Sequence, residues 1–298
     1  MRALFVTTLT SDCGNHVRAW ESAFGPAEHF TFNPRGINND WQIVETAERL
    51  RPDVIFYIGA DKGPGNPRRS AFTALRAVAP SVLICSDSGD TPWHPILAGY
   101  RTRQCFDLMV GIDGAKAAPV DLATLTPVDH RPYENGCAKY IRCGFSGTVG
   151  RWNARSEIVR PLEWVSGLMV RDRLEGGSYD DHAQFLKRCR MVLNISHTGS
   201  GLSHHVKGRV VEAGFAGAAL LEHKGSPIAD WFPAECYLSY RDTKEASEII
   251  AGADDPKVSR AATALGDYVR AHYTAAQIYG RILEQIKVVD RPKPVAAA

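Results

Sequence analysis

The sequence predicts an α/β protein built from two parallel-sheet domains. Short apolar runs alternate with amphipathic stretches along most of the chain, the alternation starts afresh after a segment at 115–135, and no short-period repeat competes with it. Strands that alternate with helices of this length form doubly wound, Rossmann-like sheets.

In the first half, 3–7 is an apolar strand and 15–24 a helix with Val17, Trp20 and Phe24 along one side. Residues 29–32 form a weak strand, and 41–50 a helix that stops before Pro52. The run 53–59 is apolar throughout, as a strand covered on both faces requires. Turn residues at 62–67 lead to a helix at 71–78, and 81–85 and 107–112 are further strands. Residues 115–135 hold Pro119, Pro127 and Pro132, show no periodicity and read as an interdomain connection. The second half reads as strand 139–143, helix 153–164, strand 167–171, helix 179–189 and strand 191–196. A helix ending near Phe215 follows, with Gly217 as its left-handed terminator, then strands 218–221 and 237–240 and a helix at 243–251. A long amphipathic helical region at 256–286 ends the fold. The expected domains are therefore 1–135 and 136–289, with a disordered tail at 290–298.

Composition narrows the function classes. The chain has 298 residues, 44% hydrophobic and 23% charged, as a soluble globular protein does. A net charge of +2 gives no argument for nucleic acid or membrane as partner, beyond at most peripheral membrane contact. Seven scattered cysteines without Cys-x-x-Cys spacing read as buried free thiols in a reducing compartment. The chain opens directly into a strand, no signal-peptide pattern is seen, and no apolar run is long enough to span a bilayer. A cytoplasmic protein is the expectation.

Chemistry concentrates in 204–222. Val206, Val210, Val211 and Phe215 recur at helical spacing, while Lys207 and Arg209 sit at the helix's positive end and Glu212 one turn on. Two cations, free N–H groups and a carboxylate suit a diphosphate joined to a hydroxyl-rich ring; equally, these residues read as solvated helix charges. Residues 144–151 place glycines, Gly147 among them, and then Arg151 after the first strand of the second half, as a phosphate loop or a plain turn. In open α/β sheets, both segments belong at the carboxyl ends of the strands. The stretch from His197 to His204 and His205 is rich in glycine, hydroxyls and imidazoles, suited to sugar contacts or to a lid. His204 and His205 are adjacent and no Asp-x-Asp occurs, so no metal and no cofactor is expected; the cations take over the task of stabilising a leaving diphosphate. In the first half, Gly14 and His16 follow the first strand as a cleft loop or an ordinary turn. Asp87, Asp90 and His94 follow another strand, as candidate proton acceptors or as helix caps. The segment Arg171-Asp172-Arg173 reads as a border of the nucleotide base or as surface charge.

The order Arg209-x-x-Glu212-Ala213-x-x-x-Gly217-x-x-Leu220-Leu221 resembles the donor-binding signature of GT-B glycosyltransferases of the group-1 type, particularly their CgeB-like branch. The resemblance covers roughly 139–250. It implies two Rossmann-like domains facing across a cleft, with the region 256–286 packing back on the first. It also implies that Glu212 holds the nucleotide ribose, that Lys207 and Arg209 hold the diphosphate, and that Gly147 and Arg151 face the donor. The family often carries a further glutamate eight positions before Glu212, where this chain has His204. The function so implied is metal-independent transfer of a sugar from a nucleotide-diphosphate donor, UDP or GDP, to a glycan, lipid or protein acceptor. A nucleotide-sugar epimerase and a non-catalytic nucleotide-sugar-binding or scaffold protein are the alternatives. No Gly-x-Gly-x-x-Gly follows the first strand, which sets a dinucleotide dehydrogenase last.

Overall fold

The computed structural model describes residues 1–8, 11–59, 63–149, 154–172, 176–197 and 204–288. The chain divides into two compact units, Met1–Asp129 with Ala275–Ala298, and His130–Thr274. The expected tail, 290–298, lies outside the described residues.

The first unit runs β1 (Ala3–Thr8), α1 (Ser11–Phe24), β2 (Glu28–Phe32), α2 (Asp40–Leu50), β3 (Val54–Ile58), α3 (Arg69–Val78), β4 (Ser81–Cys85), α4 (His94–Thr102), β5 (Leu108–Gly111) and β6 (Leu122–Ala123). Its sheet is parallel throughout, in the order β2-β1-β3-β4-β5-β6. β1, β3 and β4 are buried along their whole length, which is why they read as continuous apolar runs. Two elements departed from expectation. α4 escaped notice because it is short, begins His94-Pro95 and has Gly99 in its interior. β6, two residues long, adds an edge strand within the stretch read as connection, too short to show a period.

The second unit runs β7 (Ile141–Ser146), α5 (Ala154–Ser166), β8 (Met169–Arg171), α6 (Tyr179–Arg188), β9 (Cys189–Asn194), α7 (Gly208–Phe215), β10 (Ala219–His223), β11 (Tyr237–Tyr240), α8 (Thr243–Ala251) and α9 (Pro256–His272). Its parallel sheet has the order β11-β10-β9-β7-β8. From β7 the chain builds outward to β8, then returns to the other side as β9. The strand order therefore reverses between β7 and β9, the crevice where open α/β sheets bind ligands. α7 ends as expected, with Gly217 left-handed at φ 62°. Gly214 lets α7 approach α9 closely, since a Cβ there would stand 2.6 Å from Val269 Cγ2.

The helical region at 256–286 is two helices rather than one. α9 packs in the second unit, while α10 (Ala275–Val288) belongs to the first. Between them Tyr273 leaves the helical conformation and its hydroxyl donates to the Trp231 carbonyl at 3.0 Å. α10 inserts Tyr279 among Phe5, Trp20 and Phe56, with ring centroids 5.2–6.3 Å away.

Candidate functional site

The crevice between β7 and β9 is lined by groups that the topology delivers to the strand ends. Asn194 closes β9, and its register partner on β10 is Glu222. The Asn194 side chain donates through Nδ2 to Glu222 Oε2 at 2.6 Å and accepts from Arg209 Nη1 at 3.0 Å. One amide thus joins a cation to a carboxylate, and its orientation follows from having one partner of each kind. Arg209, in the first turn of α7, lies over the Phe145 ring at 4.8 Å. Burial lowers its pKa to about 10, with Glu212 opposing, so it stays charged at neutral pH. Its Nε has no partner among the described residues. Gly147, directly after β7, gives the guanidinium room: a Cβ there would lie 2.6 Å from Arg209 Nη2.

Glu222 is fully buried, and burial pushes its carboxyl up to about 7 against the hydrogen bonds from Asn194 and the His223 amide. Glu212 behaves differently. Burial raises its pKa, but His182, Arg209 and Tyr179 together bring it below the ordinary carboxylate value, so it is ionised. His182 Nε2 lies 3.0 Å from Glu212 Oε2, and His182 Nδ1 lies 2.9 Å from Ser146 Oγ.

Lys207 precedes α7 in extended conformation without capping it, and its Nζ is 3.2 Å from Nδ1 of the buried His205. His204 joins His197, from the same imidazole-rich stretch of sequence, and His223, which the sequence reading did not connect; residues 198–203 between the first two lie outside the described residues. The His204 ring lies 4.2 Å from His197 and stacks on His223 at 5.3 Å. The Ser196 hydroxyl lies 2.8 Å from His204 Nδ1. Desolvation, then the neighbouring imidazoles and Lys207, depress His204 to about 4, so this ring is neutral at physiological pH. Among the described residues no group of His, Cys, Asp or Glu has the geometry to hold a metal ion. The structure thus brings Gly147, Arg209 and Glu212 to one crevice, with Lys207, His204 and His205 leading into the same helix. Arg151 lies outside the described residues.

The first-unit candidates are placed as follows. Gly14 lies inside α1, which starts at Ser11, so it is a helix residue and not part of a turn ahead of the helix. His16 is buried on the same helix. Asp87 is half-buried and Asp90 only 5% exposed; His94 opens α4, and its Nε2 is buried without a partner among the described residues. Sequence reasoning missed Asp113, which fastens this loop by accepting from Ser88 Oγ at 2.6 Å and from the Gly89 amide at 2.8 Å. It also missed Asn194, Glu222, His182 and Tyr179. The available signal was a polar residue closing an apolar strand, as Asn194 does, since a buried amide demands partners.

Residues 135–284 match the family described as glycosyl transferase-like. The fold superposes on HepE from Anabaena in complex with UDP, with a TM-score of 0.64 at 14% identity, covering 96% of this chain and 100% of that one. HepE has also been solved with UDP-glucose. A glycosyltransferase from Rickettsia africae gives a TM-score of 0.62 at 11% identity, covering 97% and 98% of the two chains. An alpha-glucosyltransferase in complex with UDP and a 13-mer DNA gives 0.63 at 9% identity, covering 96% and 99%. No curated protein matches in sequence. No described helix is long and apolar enough to cross a membrane.

Proposed function

We propose that this chain, which belongs to the group-1, GT-B glycosyl transferase-like family, moves a sugar from a UDP-sugar to an acceptor hydroxyl. The observation that carries the reading is the Arg209 guanidinium, held by Phe145 and Asn194 at the β7–β9 crevice with Gly147 standing back from it. A cation fixed in advance stabilises charge as it develops on a leaving diphosphate and needs no reorganisation at that moment. Lys207 and the uncapped start of α7 add positive potential. Glu212, an ionised acceptor, suits the hydroxyls of a ribose. The uridine base is proposed because structurally similar proteins were solved with UDP and UDP-glucose.

In this reading the first unit binds the acceptor, and Asp87, Asp90 or His94 takes the proton from its hydroxyl. Asp87 and His94 are the more accessible two. The chemistry is proposed to need no metal, since Arg209 and Lys207 supply the positive charge. The test is transfer or hydrolysis of UDP-sugars, read as UDP release, with and without EDTA, alongside thermal unfolding with UDP, GDP, ADP, dTDP and CMP. A ligand bound only by the folded state raises its melting temperature. A rise specific to UDP and chelator-insensitive turnover are expected; no rise with any nucleotide would overturn the reading. His204, standing where the family often has a glutamate, favours a second reading, binding without transfer. UDP-sugar binding without turnover for any acceptor would select it.

A further inference from the structure

We propose that His182 is a positioning residue for nucleotide recognition, locking the Glu212 carboxylate in place by bridging it to Ser146; this rests on the reading of Glu212 as the ribose acceptor. His182 and Tyr179 lie three residues apart on α6 and so share one face. The first turn of that helix is fixed by a reciprocal cap: the Ser178 amide donates to Asp181 Oδ2 at 2.8 Å, and the Asp181 amide to Ser178 Oγ at 3.1 Å. Both side chains therefore reach Glu212 from a rigid base.

The hydrogen-bond logic allows one arrangement of protons for a neutral ring. Glu212 is ionised and can only accept, so His182 Nε2 carries the hydrogen directed at Oε2. Nδ1 is then the acceptor, and the Ser146 hydroxyl at 2.9 Å is its donor. Ser146 ends β7, so the carboxylate on α7 is tied through α6 to the sheet itself. A carboxylate offers about four acceptor positions. His182 and Tyr179 use two and leave the others for a vicinal diol. A glutamate whose rotamers are fixed in advance loses less entropy when it binds, on the order of tenfold in affinity.

The experiment is calorimetric titration with UDP and with 2′,3′-dideoxy-UDP, which lacks the hydroxyls Glu212 would hold. The wild type should bind UDP more tightly than the dideoxy analogue. His182→Phe should weaken UDP about tenfold and leave the analogue unchanged, which also reports that the protein is folded. His182→Gln, which keeps an N–H within reach of Glu212, should recover most of the loss. The double variant His182→Phe/Glu212→Ala should be no weaker than Glu212→Ala alone. Equal weakening of both nucleotides, no weakening at all, or additive losses would overturn the proposal while leaving the nucleotide site standing. A wild type that does not distinguish UDP from its analogue would remove the ribose role of Glu212, and this inference with it.

Discussion

The Tyr279 hydroxyl donates to the main-chain carbonyl of His16 at 3.0 Å, joining the last helix to the first across 263 residues of sequence. The ring around that hydroxyl fills the space between Phe5, Trp20 and Phe56, so α10 completes the core of the first unit. Tyr279→Phe should lower stability by about 1 kcal/mol, the usual net worth of one hydrogen bond. Tyr279→Ala should cost about 3–5 kcal/mol through the cavity it leaves. Urea unfolding followed by tryptophan fluorescence, to which Trp20 and the five other tryptophans contribute, checks both. Equal midpoints for all three proteins would mean that α10 contributes nothing to this core.

Arg209 is expected to resist conservative replacement. Its guanidinium uses a flat face against Phe145 and an edge N–H toward Asn194 at the same time. A lysine ammonium has no flat face and cannot meet both. Arg209→Lys should therefore lose at least about tenfold in UDP affinity, near the loss for Arg209→Ala, with the difference concentrated on the diphosphate. Titration with uridine in place of UDP supplies the check: both variants should bind uridine as the wild type does. Full UDP affinity in Arg209→Lys would show that charge alone suffices.

Much of this was legible in the sequence because burial writes itself as composition. β1, β3 and β4 are fully buried, and residues 3–6, 54–58 and 82–85 within them are apolar without interruption. Arg209 and Glu212 could be singled out because they fall in the signature order Arg-x-x-Glu-Ala; the helix start alone left them equally readable as solvated charges. Their partners could not. Asn194 and Glu222 meet through strand register, and His182 reaches Glu212 from another helix, 30 residues away. Such contacts depend on which strands are neighbours, which local periodicity does not encode. Gly14 shows the opposite failure: a glycine after a strand suggests a turn, yet the helix simply runs through it.

Glu222 should make the second unit's stability depend on pH in a recognisable direction. Its folded pKa is raised to about 7 from an ordinary value of 4.5, so between those values the native state holds a proton that the unfolded chain has released. The native state therefore gains stability as pH falls through 7, the gain is complete below 4.5, and it is lost as pH rises past 7. The full effect is on the order of 3–4 kcal/mol. Glu222→Gln keeps the shape and removes the titration. The difference in unfolding free energy between wild type and variant should favour the wild type at pH 5 relative to pH 8. A flat difference across that range would mean that Glu222 titrates normally.

Gly214 carries the last expectation. In an ordinary helix, alanine is better than glycine by about 1 kcal/mol. Here the added methyl would stand 2.6 Å from Val269 Cγ2 and 3.3 Å from the Leu265 carbonyl, so α7 and α9 would have to separate. Overpacking of this kind costs about 1–3 kcal/mol, which outweighs the propensity gain. Gly214→Ala should thus destabilise the protein. It should also weaken UDP binding, because α7 carries Arg209 and Glu212 into the crevice. Trimming the neighbour tests the cause: Gly214→Ala/Val269→Ala should be less destabilised than the sum of the two single changes. An additive double variant would place the origin of the loss elsewhere in α7.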